Sequence, residues 1–323
     1  MALLVFVGSC LLADWAFTRG IILRPSSDSG RIQHLFLENS NEMPVFGSSK
    51  VLGLDLGLNA YNYGMEAASF EVTEVFLQIE LAKPKTTPLI VELQFQDTGI
   101  LGNEGRFIPF ASETRFRQLL RRFHSLEWRY FVPGIRYFGY YDWYVKDYLN
   151  ERTHVTQVTR GFVELLHPRP YDRTEFGEIV RARLQMTNGY FPDEDQNRRL
   201  IALITEHPQR LFFLIVSPYH SSYYVHFQNE EKLKAVEAKL AAFPNVVVID
   251  WGRMHYPDQS FFDTQHLRRE AAADFSQKLR DKINQVLRER NESAALEKTH
   301  QPVTVWHDDA MENPAAQIGC VNP

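Results

Sequence analysis

Three short runs constrain this chain most: residues 88–95 (PLIVELQF), 210–219 (RLFFLIVSPY) and 246–251 (VVVIDW). Each is continuously apolar, where a strand with one wetted face would alternate. That is the pattern of parallel strands covered on both faces. Between and after them lie segments with a helical rhythm. Residues 66–83 carry Phe70, Val72, Val75, Phe76, Ile79 and Leu81, and Pro84 and Pro88 end the pattern. Residues 230–243 place Leu233, Val236, Leu240 and Phe243 on one side, and residues 267–289 repeat Ala271, Phe275, Leu279, Ile283 and Leu287 every four positions. Two shorter strands are expected at 43–48 and 60–63. Alternating strands and helices predict an α/β fold over residues 43–290: three α/β/α layers around a mostly parallel, flavodoxin-like sheet. Ligands of such sheets bind beyond the carboxyl ends of the strands.

Residues 98–200 break the alternation. They hold a basic helix-like stretch at 114–123, the aromatic cluster 137–144 (YFGYYDWY) and a charged helix near 173–186, and read as a helical insertion. The aromatic cluster either packs this cap onto the domain or offers ring faces to sugars. Residues 25–42 read as a linker or short helix. Residues 291–323 turn polar with prolines and no periodicity, as a disordered tail does.

The first 24 residues open on an apolar run, ALLVFVGSCLLADWAF, interrupted by Asp14. Three readings stay open: a membrane anchor or signal segment, a buried element of the domain, or a lipoprotein signal ending at Cys10. Arg19, Arg24 and Arg31 follow the run and count against a simple outward orientation. A net charge of −5 with no basic stripe argues against nucleic acid as a partner. Two cysteines, Cys10 and Cys320, exclude a disulfide framework and a cysteine-built zinc site. No His/Asp/Glu spacing suggests a metal site and no glycine-rich loop suggests a nucleotide, so no cofactor is expected.

The chemistry lies at the two ends of the domain. Val45-Phe46-Gly47-Ser48-Ser49 places a serine just after a strand, and Asp263-Thr264-Gln265-His266 places an Asp three residues before a His. Serine, imidazole and carboxylate are the parts of a nucleophile, its general base and the group that orients the base. Each also has a plain structural reading. Gly-Ser-Ser makes a helix N-cap, and Asp263 could cap the last helix with His266 in its first turn. His220, after the 210–219 strand, could line the pocket and bind substrate, or be merely structural.

The blocks Phe46-Gly47-Ser48-Ser49-Lys50-Val51-Leu52-Gly53, Tyr61-Asn62-Tyr63-Gly64-Met65 and Asp263-Thr264-Gln265-His266-Leu267 resemble those of the SGNH/GDSL hydrolase superfamily. The likeness is greatest to exported SGNH-like proteins related to polysaccharide O-acetylation and teichoic-acid modification. The first block is similar to Gly-Asp-Ser-x-x-x-Gly with Ser48 in the Asp slot, the second to Asn-x-Gly, the third to Asp-x-x-His. The resemblance implies Ser49 as nucleophile, with Asp263 and His266 completing the triad. It implies an oxyanion hole from the Ser49 and Gly64 N–H groups and a third-block side chain. Where the family has Asn in that block this chain has Gln96, with Gln94 as a substitute that could also touch substrate. The expected activity is that of a serine esterase or O-acyltransferase on an ester or acylated glycan, outside the cytoplasm or anchored to a membrane. The alternative is an inactive SGNH-like protein serving assembly or binding in exopolysaccharide export.

Overall fold

Five parallel strands form the central sheet: β1 (Met43–Phe46), β2 (Ala60–Asn62), β3 (Leu89–Glu92), β6 (Phe212–Val216) and β7 (Val246–Asp250). In space they run β2-β1-β3-β6-β7, the flavodoxin-like order. This structure, a computed structural model, describes residues 1–57, 59–93, 104–159, 162–165, 172–186, 194–225 and 230–299. The registers are short and regular: Val45 pairs with Asn62 on one side and Ile90 on the other, Val91 with Leu214, and Leu214 with Val248. Phe212, Phe213, Leu214 and Ile215 are all fully buried, so both faces of β6 are covered, as its continuous apolar run requires.

The two faces separate by alternation. Phe46, Leu89, Val91, Phe212, Leu214 and Val216 join one apolar cluster. Helices α4 (Phe70–Leu81), α8 (Glu194–Glu206) and α10 (Glu230–Ala241) supply its other half through Val72, Phe76, Leu200, Ile204, Leu233 and Leu240. Val45, Ile90, Phe213 and Ile215 are buried but outside that cluster, on the opposite face. The short helix α3 (Ser49–Leu52) and the start of α11 (Arg269–Thr299) serve this second face. The Asp55 N–H donates to Ser276 Oγ at 3.2 Å, and the Phe275 ring lies 5.9 Å from Trp251. Ala271, Phe275 and Leu279 are buried at the expected four-residue spacing.

Several boundaries differ from expectation. Of the two readings of residues 25–42, the short helix holds: α2 (Asp28–Leu37) is capped by Ser27 Oγ, which accepts from the Gly30 N–H at 2.9 Å. Ile32 and Leu35 are fully buried, so the folded unit begins before residue 43. The insertion holds α5 (Thr114–Arg122), α6 (Tyr141–His154) and α7 (Arg173–Met186), together with α8. It is not purely helical: β4 (Val155–Thr159) and β5 (Phe162–Leu165) pair antiparallel within it. The β-branched stretch VTQVT is the signal a helical reading passes over. The helix α11 reaches Thr299, past the expected start of the tail, and residues 300–323 lie outside the described residues. The chain divides into two compact units, Met1–Asp281 and Lys282–Pro323; the site lies in the first.

At the amino end, α1 (Ala2–Phe17) continues as a wide helical turn over Thr18–Ile22. Leu3–Ile22 is long and apolar enough to cross a membrane or act as a signal sequence, and only 17% of its most apolar window is buried. A buried core element is thus not what this segment makes. Arg24 pairs with Asp147 at 2.6 Å and Arg31 with Asp28, so two of the three arginines after the run serve the fold.

Candidate active site

The sheet order reverses between β1 and β3, and the crevice at the carboxyl ends of these strands is where a doubly wound sheet offers a site. After β1 the chain turns through Gly47 into α3. A Cβ at Gly47 would stand 2.6 Å from Glu92 Cβ and 2.9 Å from Val51 Cγ2, so the turn can lie this close to β3 only without a side chain. Ser48 is the N-cap of α3, and its Oγ donates to Glu92 Oε2 at 2.8 Å. Ser49 is the first helical residue. The capping reading is therefore correct for Ser48 and leaves the Ser49 hydroxyl for other work.

That hydroxyl meets His266: Ser49 Oγ lies 2.7 Å from Nε2. On the far side of the ring, Nδ1 lies 2.9 Å from both carboxylate oxygens of Asp263. An ionised carboxylate only accepts, so Nδ1 carries the hydrogen and Nε2 is left to receive the serine proton. Asp263 is buried, at 3% exposure, and its Oδ1 also accepts the N–H groups of Gln265 (2.8 Å) and His266 (2.9 Å). Burial pushes its carboxyl up. The hydrogen bond and charge of His266 and the two backbone donors outweigh that and hold it below the usual carboxylate range.

The loop bearing this pair is not a helix cap. It is closed by an antiparallel bridge between Phe261 and Leu267, and α11 begins only at Arg269. The Phe262 N–H donates to the His266 carbonyl at 2.8 Å, and Arg268 Nε to the Phe261 carbonyl at 3.0 Å. Asp263 thus takes its geometry from a braced loop, which corrects the expectation that both residues enter the last helix.

A second, buried network supports the serine turn. Glu92, the last residue of β3, is 2% exposed. Its Oε2 receives the Ser48 N–H and hydroxyl, and its Oε1 lies 2.7 Å from Lys50 Nζ. Lys50 Nζ also donates to the Tyr219 hydroxyl at 2.6 Å. Burial alone would lower the Lys50 ammonium, but the Glu92 charge and Tyr219 more than offset it, so the amine stays protonated. Burial and Glu92 raise the Tyr219 hydroxyl, with Lys50 acting against them. The family blocks do not point to this network. The readable signal was Glu92 itself, a charge ending an otherwise apolar strand, which cannot be buried without a cation.

Asn62 locks the other side of the turn. Its amide donates to the carbonyls of Val51 (2.6 Å) and Leu54 (3.0 Å), and its Oδ1 accepts the Gly64 N–H at 2.7 Å. The Gly64 amide, the expected second oxyanion donor, is therefore taken up within its own turn in this conformation. A Cβ at Gly64 would lie 2.8 Å from Asn62 Oδ1 and 2.9 Å from the Leu52 nitrogen, so its lack of a side chain serves packing. Among the described residues, the Ser49 N–H has no hydrogen-bond partner. Gln94 and Gln96, the expected third-block donors, lie outside the described residues.

His220 has partners within the fold. Its Nδ1 is 2.7 Å from Ser222 Oγ and its Nε2 3.1 Å from Asp258 Oδ1, so both ring nitrogens are occupied within the protein. Its N–H donates to the Thr264 carbonyl at 3.0 Å. His220, just before the short helix α9 (Ser221–Val225), fastens the loop after β6 to the Asp263–His266 loop. In the aromatic cluster, Tyr137 and Tyr144 are buried against Phe17, with ring centroids 5.9 and 6.1 Å away. These two rings pack the insertion and offer no face to a sugar. Among the described residues no group of three or more His, Cys, Asp or Glu could hold a metal ion. Comparison with known proteins leaves the arrangement to be judged on its geometry: no protein-family model matches the chain, and no curated protein matches it.

Proposed function

We propose that this chain is an SGNH-like serine esterase or O-acyltransferase whose triad is Ser49, His266 and Asp263. The observation that carries the reading is the unbroken hydrogen-bond path from Ser49 Oγ through His266 to a buried carboxylate, joining residues 217 positions apart. In the proposed reaction His266 Nε2 takes the Ser49 proton as Oγ adds to the acyl carbonyl. Asp263 steadies the imidazolium, and the same proton passes to the departing alkoxide as the acyl-enzyme forms. Water or a sugar hydroxyl then gives up its proton to His266 and attacks the acyl carbon; His266 returns that proton to Ser49 Oγ as the Oγ–acyl bond breaks, releasing the free serine. The Ser49 N–H is one donor for the negative oxygen; each such donor contributes about 3 kcal/mol to transition states of this kind. The ester class we favour is an O-acyl group on a glycan outside the cytoplasm, with the apolar N-terminal helix holding the protein at the membrane.

A second reading, a non-catalytic SGNH-like protein acting in assembly or binding for polysaccharide export, draws on the engaged Gly64 amide, which deprives the site of one expected donor. A serine-directed fluorophosphonate separates the two. Under the enzyme reading the wild type is labelled and Ser49→Ala is not; a wild type that never labels favours the second. Chromogenic acetyl esters, with and without an acceptor sugar, then distinguish hydrolysis from transfer.

A further inference from the structure

Among the described residues, all exposed large apolar side chains except Leu37 fall in two segments, residues 1–15 and residues 128–149. The second includes Trp128 at 74% exposure, Phe138 at 68% and Leu149 at 53%, with Phe131 and Ile135 between them. A folded domain rarely leaves such a group to water unless something covers it.

The two segments are joined. Asp14 of α1 is buried and accepts the Gly134 N–H at 3.0 Å and Arg136 Nε at 3.1 Å. Thr18 Oγ1 lies 3.0 Å from the Tyr137 hydroxyl, and the Phe17 ring lies 5.0 Å from that of Tyr141. The later turns of the apolar helix are thus clasped by residues 134–144. The candidate span Leu3–Ile22 has 20 residues. At about 1.5 Å per residue it is roughly as long as the hydrocarbon core is thick. Asp14, Phe17 and Thr18 fall inside that span, so a bilayer that takes up the helix must also run alongside residues 134–144. The chemistry suits that depth. Aromatic rings with polar tips settle where acyl chains meet headgroups, and arginine stems lie along apolar surface with their charge toward water. The one acid in the span is neutralised by Arg136, as a carboxylate near hydrocarbon must be.

We propose that residues 128–149 form a second membrane contact beside α1, an aromatic foot seated in the headgroup and upper acyl-chain region of a phospholipid bilayer. The foot and the helix hold the domain at two points and so fix its tilt over the membrane. The inference rests on α1 as a membrane span but does not depend on the esterase chemistry.

Full-length protein, with Cys10→Ser and Cys320→Ser, would be reconstituted into phosphatidylcholine vesicles carrying a single cysteine at Phe138, Leu37 or Phe6. Each cysteine is labelled with an environment-sensitive fluorophore. The expected result is quenching of the label at 138 by phosphatidylcholine with a shallow spin label, and several-fold weaker quenching by aqueous iodide than at 37. The label at 6, near the opposite end of the span, is quenched by acyl-chain spin labels and shielded from iodide. If 138 behaves like 37 while 6 is quenched by lipid, the helix spans and the foot is refuted. If the protein does not float with the vesicles, the span fails and the proposal with it. Protection of 138 from iodide without lipid quenching would mean that a protein covers the surface, and would overturn the bilayer assignment.

Discussion

Asp263 is a buried carboxylate whose charge is sustained by one imidazole and two backbone amides, and two predictions follow from that environment. Asp263→Asn keeps the shape but can pair with His266 only by forcing the wrong tautomer; under the proposed esterase reading, kcat on an activated ester should fall by about 10⁴-fold with binding little changed. Steady-state kinetics alongside circular dichroism checks this. The second concerns stability. The carboxyl is held below its ordinary value in the fold, so between that depressed value and about pH 4 the unfolded chain binds more protons. Its contribution is fully present above about pH 4 and is lost as pH falls through the folded value. Urea unfolding at neutral and strongly acidic pH should show a smaller loss for Asp263→Asn than for wild type. At this scale the two ends of the chain were legible. Asp-x-x-His and a serine after a short strand are compact local signals, and the atoms they name meet at 2.7 and 2.9 Å. The partners of Gly64 and His220 were not legible, because a residue type reveals that it can donate or accept, and not that a neighbour such as Asn62 or Asp258 has already claimed it.

Among the elements, α3, β3 and the loop after β6 act as one unit through the Ser48–Glu92–Lys50–Tyr219 network. Lys50→Met strands a buried carboxylate and Glu92→Leu strands a buried ammonium, so each should destabilise by about 3–5 kcal/mol. The double variant should lose clearly less than the sum of the two. A double-mutant cycle in urea measures the coupling, and additive losses would show that the two charges do not depend on each other. The strands of the sheet and the helices between them were located in the sequence, though with looser ends than the structure shows, because 88–95, 210–219 and 246–251 have no second way to bury themselves. The β4–β5 pair was missed, since a short β-branched run within helical surroundings is decided by its partner strand. The Asp263–His266 loop was mistaken for a helix start because its closing bridge, Phe261 to Leu267, leaves no periodic trace.

For the whole molecule, the apolar amino end is the feature with the largest consequence outside the site. Full-length protein should float with phospholipid vesicles, resist release by high salt and be released by detergent; recovery in the soluble fraction without detergent would exclude a membrane span. The chain determined by itself the class of fold, the two blocks that bear Ser49, Asp263 and His266, and the presence of an apolar amino-terminal run. All are written in local pattern: continuous apolar runs, four-residue periodicity, and a few chemically distinctive side chains. Only the tertiary structure decided that Ser49 and His266 touch, that Glu92 and Lys50 neutralise each other beneath them, and that Asp14 is held by Arg136. The physical reason is that hydrogen bonding and charge pairing act over about 3 Å in space, and a folded chain brings such partners together from positions that no sequence window contains.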